Sequence, residues 1–163
     1  MVKIDAIDKQ ISDLLIEDGR LTCSKIARRI GGVSERAVRY RINRLIKNNI
    51  IAVHGNVNGP GLGFGVFADV FIDVEPGMVK EVAQKLSGYE YVSYVACTTG
   101  DTDISIQVFA RDNNELYQFV TEVLGRIPGV RKTRTSLITV IIKDDHIWQI
   151  PPSCIREEKP LRV

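Results

Sequence analysis

Residues Ser34 to Lys47 read Ser-Glu-Arg-Ala-Val-Arg-Tyr-Arg-Ile-Asn-Arg-Leu-Ile-Lys. The run mixes guanidinium, ammonium, amide and phenol groups, which hydrogen-bond to phosphates and to base edges. At about 100° per residue on a helix, Val38, Ile42 and Leu45 share one side and can pack inward. Arg36, Tyr40, Asn43, Arg44 and Lys47 point roughly the other way, with Arg39 on the flank. A short helix with one apolar and one cationic stripe suits the major groove of double-stranded DNA. The hydroxyls of Thr22, Ser24 and Ser34 stand where helix N-termini can meet phosphates. A merely solvated basic face on a protein-binding module is the rival reading. Against it, no acidic residue follows Glu35, and the run holds five of the eleven cations in residues 1–60.

Several elements must position this run. Asp5 can cap a first helix, with Asp8 one turn on, near its positive end. Ile7, Ile11, Leu14 and Leu15 then make one buried face. Gly19 is the expected left-handed stop. Thr22 caps a second helix whose Leu21, Ile26, Ala27 and Ile30 face inward, Gly31-Gly32-Val33 makes the turn, and Ser34 caps the third. Asn48-Asn49 ends that helix. The β-prone stretch Ile50 to Asn58 reads as a wing or connecting strand. Residues 1–50 are thus a winged helix-turn-helix and 51–64 a connecting strand or linker.

Charge separates this head from the rest. Residues 1–60 carry eleven Lys and Arg against six Asp and Glu, net +5, while the remainder is −3, for +2 overall. A basic head on a mildly acidic body fits a polyanion-binding module attached to another function. Cys23, Cys97 and Cys154 are odd in number and far apart, which speaks against disulfides and zinc. His54 and His146 lack companions at metal-ligand spacing, so neither a metal nor a cofactor is expected. The N-terminus shows no signal-peptide pattern and no run spans a membrane, so a cytoplasmic protein is expected.

The body, residues 65–142, alternates in period two and period 3.6. Val66 to Val74 is a strand, Val79 to Leu86 a helix, and Val92 to Thr98 a second strand. Thr99-Gly100-Asp101-Thr102 is a hairpin turn into a third strand through Ile104, Ile106 and Val108. Asp112 or Asn113 caps a second helix with Leu116, Val120, Val123 and Leu124 inward, and Val130 to Ile142 is a long fourth strand. This β-α-β-β-α-β order is ferredoxin-like, making the whole chain α+β. Phe67, Phe71 and Phe109 fall out of phase with the inward residues of their strands, so a second sheet, supplied by a homodimer, should cover the other face. The extension 143–163 holds the only Trp and an adjacent proline pair; an added strand and an arm to a partner both fit it.

Several of these stretches together resemble the Lrp/AsnC family of transcriptional regulators. They are Ile4 to Ile11, Glu17 to Arg20, Ile26 to Gly31, Val33-Ser34, Arg41 to Leu45, Asn49 to Ile51 and Gly61 to Gly63. In the body they are Thr99 to Asp103 and Ile127 to Val130. The similarity covers about residues 3 to 142, and its order and spacing carry it more than any one motif. Two features depart from the family pattern: a turn before the third helix that is one residue longer, and the extension beyond Lys143.

The resemblance implies a DNA-binding head and an effector-binding body. It also implies dimers through the sheets, assembled further into tetramers or octamers, and control by an amino acid or related small molecule. By position, Thr99, Gly100, Asp101, Thr102 and Asp103 lie where the family binds effector, with Thr135 and Ser136 as neighbours. A plain hairpin turn is the competing reading of that loop. Its hydroxyls, backbone and carboxylates can nonetheless hold an amino acid's ammonium and carboxylate. The function expected is sequence-specific, effector-controlled DNA binding, and no enzyme activity. The alternatives are a tetrapyrrole-decarboxylase type of enzyme subunit, disfavoured by a body without histidine before His146, and an oligomeric sensor that binds no DNA.

Overall fold

Asp5 starts the first helix for a local reason. Its carboxylate accepts from the Asp8 N–H at 2.9 Å, and the Asp8 carboxylate accepts from the Asp5 N–H at 3.1 Å. This reciprocal capping box satisfies donors that a helix start otherwise leaves open. Helix α1 then runs Ala6–Glu17, α2 Cys23–Ile30 and α3 Glu35–Lys47 in a computed structural model that describes Val2–Ile155. The Thr22 and Ser34 hydroxyls cap α2 and α3 by accepting from the Lys25 and Ala37 N–H groups. Ile11, Ile26 and Val38, one from each helix, are fully buried at the centre, with Ile7, Leu14, Leu15, Leu21, Ile30 and Ile42 packed around them.

Two local expectations change. Gly19 does not adopt a positive φ. Asp18 instead closes α1 in an extended conformation, and its carboxylate takes the Arg20 N–H at 2.9 Å. Residues 51–58 form no strand; a strand needs a partner backbone, and this single chain offers none there. The expected end of α3 holds, since Asn49 has φ 54°, the one positive φ outside glycine among the described residues.

The body follows its alternation closely. Strands β1 (Val66–Val74), β2 (Val92–Cys97), β3 (Ile104–Ala110) and β4 (Val130–Leu137) form one sheet in the order β2-β3-β1-β4, every neighbour antiparallel. Helices α4 (Val79–Leu86) and α5 (Asn113–Gln118) complete the βαββαβ order. Ala68, Val70, Ile72 and Val74 of β1 join Ile104, Ile106, Val108 and Ala110 of β3 in the core with Val82, Leu86, Leu116, Phe119, Leu124 and Ile127. The opposite face keeps Phe67, Phe71 and Phe109 half-buried. Phe67 and Phe109 face each other in register and stack at 4.4 Å.

Beyond Gln118 the α5 helix widens into a π turn over Phe119–Val123 and tightens into a 3-10 turn over Leu124–Arg126. An i→i+5 turn aligns residues five apart, so Phe119 and Leu124 are buried together. Val120 and Val123, which a regular helix would turn inward, pack only at the margin. The fourth strand is also shorter than its apolar run. Its ladder stops at Leu137, one further bond joins the Ile138 N–H to the Phe67 carbonyl at 2.8 Å, and Val140, Ile141 and Ile142 are exposed.

Among the described residues the chain forms two compact units. One is Val57–Ile141; the other joins the chain up to Asn56 with the stretch from Ile142 onward. The C-terminal stretch makes two 3-10 turns, Asp145–Ile147 and Pro152–Cys154, and one parallel bridge from Ile155 to Ile4. The rest of the extension, 156–163, lies outside the described residues. No described helix is long and apolar enough to cross a membrane.

Gly31 and Gly32 hold φ of 73° and 68° in the turn before α3. A Cβ at Gly31 would meet nothing within 4 Å, so any penalty there is conformational. Gly31→Ala should destabilise the N-terminal unit by about 1–3 kcal/mol, since φ 73° with ψ 152° is an essentially glycine-only conformation, read as a lower urea midpoint with an unchanged m-value.

Candidate nucleic-acid interface and sensing loop

The five cations of α3 separate into two groups. Arg36, Tyr40, Asn43 and Lys47 are all exposed, Tyr40 at 68%. At about 100° per residue they lie within roughly 60° of arc, with Arg39 at one border. Arg39 is held along the helix by Glu35 at 2.6 Å. Thr22 and Ser34 are exposed cap residues, and Ser24 is exposed in the first turn of α2. These residues make one outward cationic, hydrogen-bonding surface on the N-terminal unit.

Arg44 does not belong to that surface, contrary to the sequence expectation. Its guanidinium donates to the Asp8 carboxylate, which has no exposed surface at all. Arg41 donates to Asp8 at 2.8 Å and to Asp5 at 2.7 Å. The helical angle explains the shift: Arg44 and Arg41 lie roughly 80° and 140° from Arg36, toward the side that meets α1. Arg41 is thus a positioning residue that sequence reasoning missed, as it missed the pairing of the helix-start residues Asp5 and Asp8 with α3. The signal was present as two acids at i, i+3 in the head and two arginines at i, i+3 in α3.

This network perturbs its members. Burial alone pushes the Asp5 carboxyl up, but the Asp8 N–H and the Arg41 guanidinium together outweigh it and hold the group below its ordinary value. Arg41 is raised: burial disfavours its charge, and the hydrogen bonds and charges of Asp5 and Asp8 more than compensate.

In the other unit, the loop between β2 and β3 is pinned from both sides. The Thr98 N–H donates to the Asp103 carbonyl at 2.9 Å, and the Thr98 hydroxyl donates to the Thr102 carbonyl at 2.6 Å. Gly100 sits at the exposed tip with φ 131°. Thr99 and Asp101 are exposed and Thr102 is half-buried. Asp103 is half-buried and serves the sheet, its carboxylate accepting the Val74 N–H at 2.9 Å where the β1–β4 register shifts. One of its two carboxylate oxygens is thereby engaged by the backbone. Thr135 and Ser136 pair with Val70 and Asp69, so they lie on opposite faces of the sheet. Arg134 shares the outer face with Ser136; its guanidinium donates to the Asp101 carbonyl at 3.1 Å and reaches the Asp73 carboxylate at 3.5 Å. Its proximity to the loop arises only through sheet pairing. Among the described residues no cluster of His, Cys, Asp and Glu could hold a metal, and Cys23, Cys97 and Cys154 are free.

Residues 4–46 match the AsnC-type helix-turn-helix domain, and residues 68–148 match the Lrp/AsnC ligand binding domain. The chain belongs to the Lrp/AsnC family of transcriptional regulators. An HTH-type transcriptional regulator of Pyrococcus horikoshii is 38% identical over 143 residues, covering 87% of this chain and 90% of that one. Another, from Pyrococcus furiosus, is 40% identical over 141 residues, covering 86% and 95%. A Neisseria meningitidis transcriptional regulator, solved as an L-Met complex, superposes with a TM-score of 0.78 at 24% identity, covering 87% of this chain and 94% of that one. At that identity the likeness shows the shared fold. Within the Lrp/AsnC frame, this chain is a DNA-binding regulator with a ligand binding domain.

Because the folded Asp5 carboxyl titrates below its unfolded value of about 3.9, its contribution is present above that value. It is lost as pH falls through the lower folded one. Acid titration of the chain should show the N-terminal unit weakening below about pH 4, and Asp5→Asn should flatten that dependence. An unaltered acid profile in the variant would count against the ion-pair network.

Proposed function

We propose that this Lrp/AsnC regulator reads DNA with Arg36, Tyr40 and Asn43, and grips phosphates with Lys47, Arg39 and the hydroxyls of Thr22, Ser24 and Ser34. The observation that carries this is the exposed stripe on α3, whose opposite side is tied to α1 by Asp8. Free donors on a held helix are what groove recognition needs. We also propose that a second copy covers the outer face of the sheet. Three half-buried phenylalanines lie there, two of them stacked in register, and a C2 pair would present two recognition helices about 34 Å or multiples apart. Tetramers or octamers would then be built from such dimers.

The effector reading is an amino acid at the Thr99–Thr102 loop. The Arg134 guanidinium offers a bidentate partner for a carboxylate, and Asp73 and Asp101 offer acceptors for an ammonium. The Neisseria relative's L-Met complex supports that class of ligand. Ser136, on the same face as Arg134, fits this site better than Thr135. The regulator reading also fits better than an enzyme subunit, because the unit Val57–Ile141 contains no histidine.

Operator affinity should fall about 10³-fold or more from 50 to 200 mM salt if six or more phosphates are contacted. Arg36→Ala or Tyr40→Ala should weaken operator binding more than random-DNA binding, and Lys47→Ala both alike. Arg44→Ala should chiefly lower stability. A flat salt response would remove the DNA-binding assignment to this surface.

For the sensing unit, calorimetric titration with each amino acid should find a ligand whose binding Arg134→Ala reduces roughly tenfold or more, the scale of a lost charge-assisted bond. Phe67→Asp should convert dimers to monomers by sedimentation. Unchanged binding, or an unchanged mass, would respectively refute the two assignments.

A further inference from the structure

The C-terminal segment leaves the sensing unit and touches the DNA-binding unit at three places. Ile155 bridges in parallel to Ile4, which is 6% exposed and directly precedes the Asp5 cap. Lys143 and the stretch Ile147 to Pro152 wall a cleft with Lys9 of α1. The His146 ring meets the His54 ring edge-on, centroids 6.4 Å apart, and His54 lies in the irregular stretch that follows α3. The segment therefore runs from the stretch after α3, at His54, to the entry of α1 at Ile4. Pro151 holds φ −61° and ψ 141°, a stiff extended conformation that loses little entropy on docking.

We propose that this segment is a strap that positions the recognition helix. It acts through Ile4 and the Asp5–Asp8 capping box on Arg41 and Arg44. The inference rests on α3 being the DNA-reading element. The apolar centre of Ile11, Ile26 and Val38 keeps the three helices together, but apolar attraction is non-directional and tolerates rolling. The carboxylate–guanidinium bonds from Asp5 and Asp8 are directional and set the roll of α3. Both carboxylates sit in the turn whose backbone begins at Ile4, so an anchor on Ile4 is an anchor on both. A recognition site tolerates only about 0.5 Å and 10–20° of misplacement. Loss of the strap should therefore blunt base reading while leaving the phosphate-binding charges in place.

The test uses the full chain with Ile155→Asp, with Ile155→Gly to exclude an effect of the new charge, and with Ile155→Val as the conservative control. Trp148 is the only tryptophan and lies in the strap, so its fluorescence anisotropy reports docking. Operator DNA is first selected with the unaltered chain. Expected in the Asp and Gly variants are a lower Trp148 anisotropy and an operator affinity weaker by about tenfold or more. Non-operator affinity should stay within about twofold, and the Val variant should match the unaltered chain. The proposal falls if anisotropy drops but operator affinity holds, since the strap then positions nothing. It falls equally if both affinities decline together, which marks a plain folding element, or if anisotropy does not change, since the Ile4 bridge is then no anchor. Failure of the DNA-reading assignment itself would show separately, as no operator preference in the unaltered chain, and would overturn the proposal with it.

Discussion

Asp8 carries a carboxylate without exposed surface, held by Arg41, Arg44 and the N–H of Asp5. Withdrawing a carboxylate from water costs several kcal/mol, so the group is stable there only while all its partners stay in place. Those partners belong to two elements, the start of α1 and the inner flank of α3. The helix start thus cannot drift, and α3 cannot roll, without exposing a charge to an apolar surrounding. The outward stripe of Arg36, Tyr40, Asn43 and Lys47 inherits its direction from that constraint. Arginines on one helix accordingly differ: Arg41 and Arg44 are bonded to α1, while Arg36 is exposed on the outward stripe.

The sensing unit rests on a different constraint, the period of two along its strands. One face of β1 and β3 is aliphatic and closed by α4 and α5. The other alternates aromatic and acidic or polar groups, so it is neither a finished core nor an ordinary solvated surface. The same alternation places Arg134 beside the β2–β3 loop and turns Asp103 toward Val74. Pairing across the sheet thereby distinguishes residues that are close neighbours in the chain.

Much of the fold was legible in the sequence because its signals are local. The caps at Asp5, Thr22, Ser34 and Asp112 were readable because each side chain bonds an N–H three residues away. β1 and α4 were readable because burial on one face repeats with each element's own period. The misreadings have separate causes. At Gly19 the Asp18 carboxylate offered a competing local bond. The β-prone stretch after α3 had propensity without a partner. In α5 a π turn displaced Val120 and Val123 in favour of Phe119, which Tyr89 and Tyr91 flank at 5.6 and 5.8 Å.

The chain by itself determined the order of elements, the basic head, the exposed position of most of the α3 stripe and the family. These follow from residue type and from separations of three or four positions, which a single helix or strand obeys. Only tertiary structure decided which arginines face outward, since that depends on a carboxylate 36 residues away from Arg44. It alone placed Arg134 beside Asp101, 33 residues apart, and returned Ile155 to Ile4. Contacts at such separations depend on how elements pack, and no local periodicity encodes them.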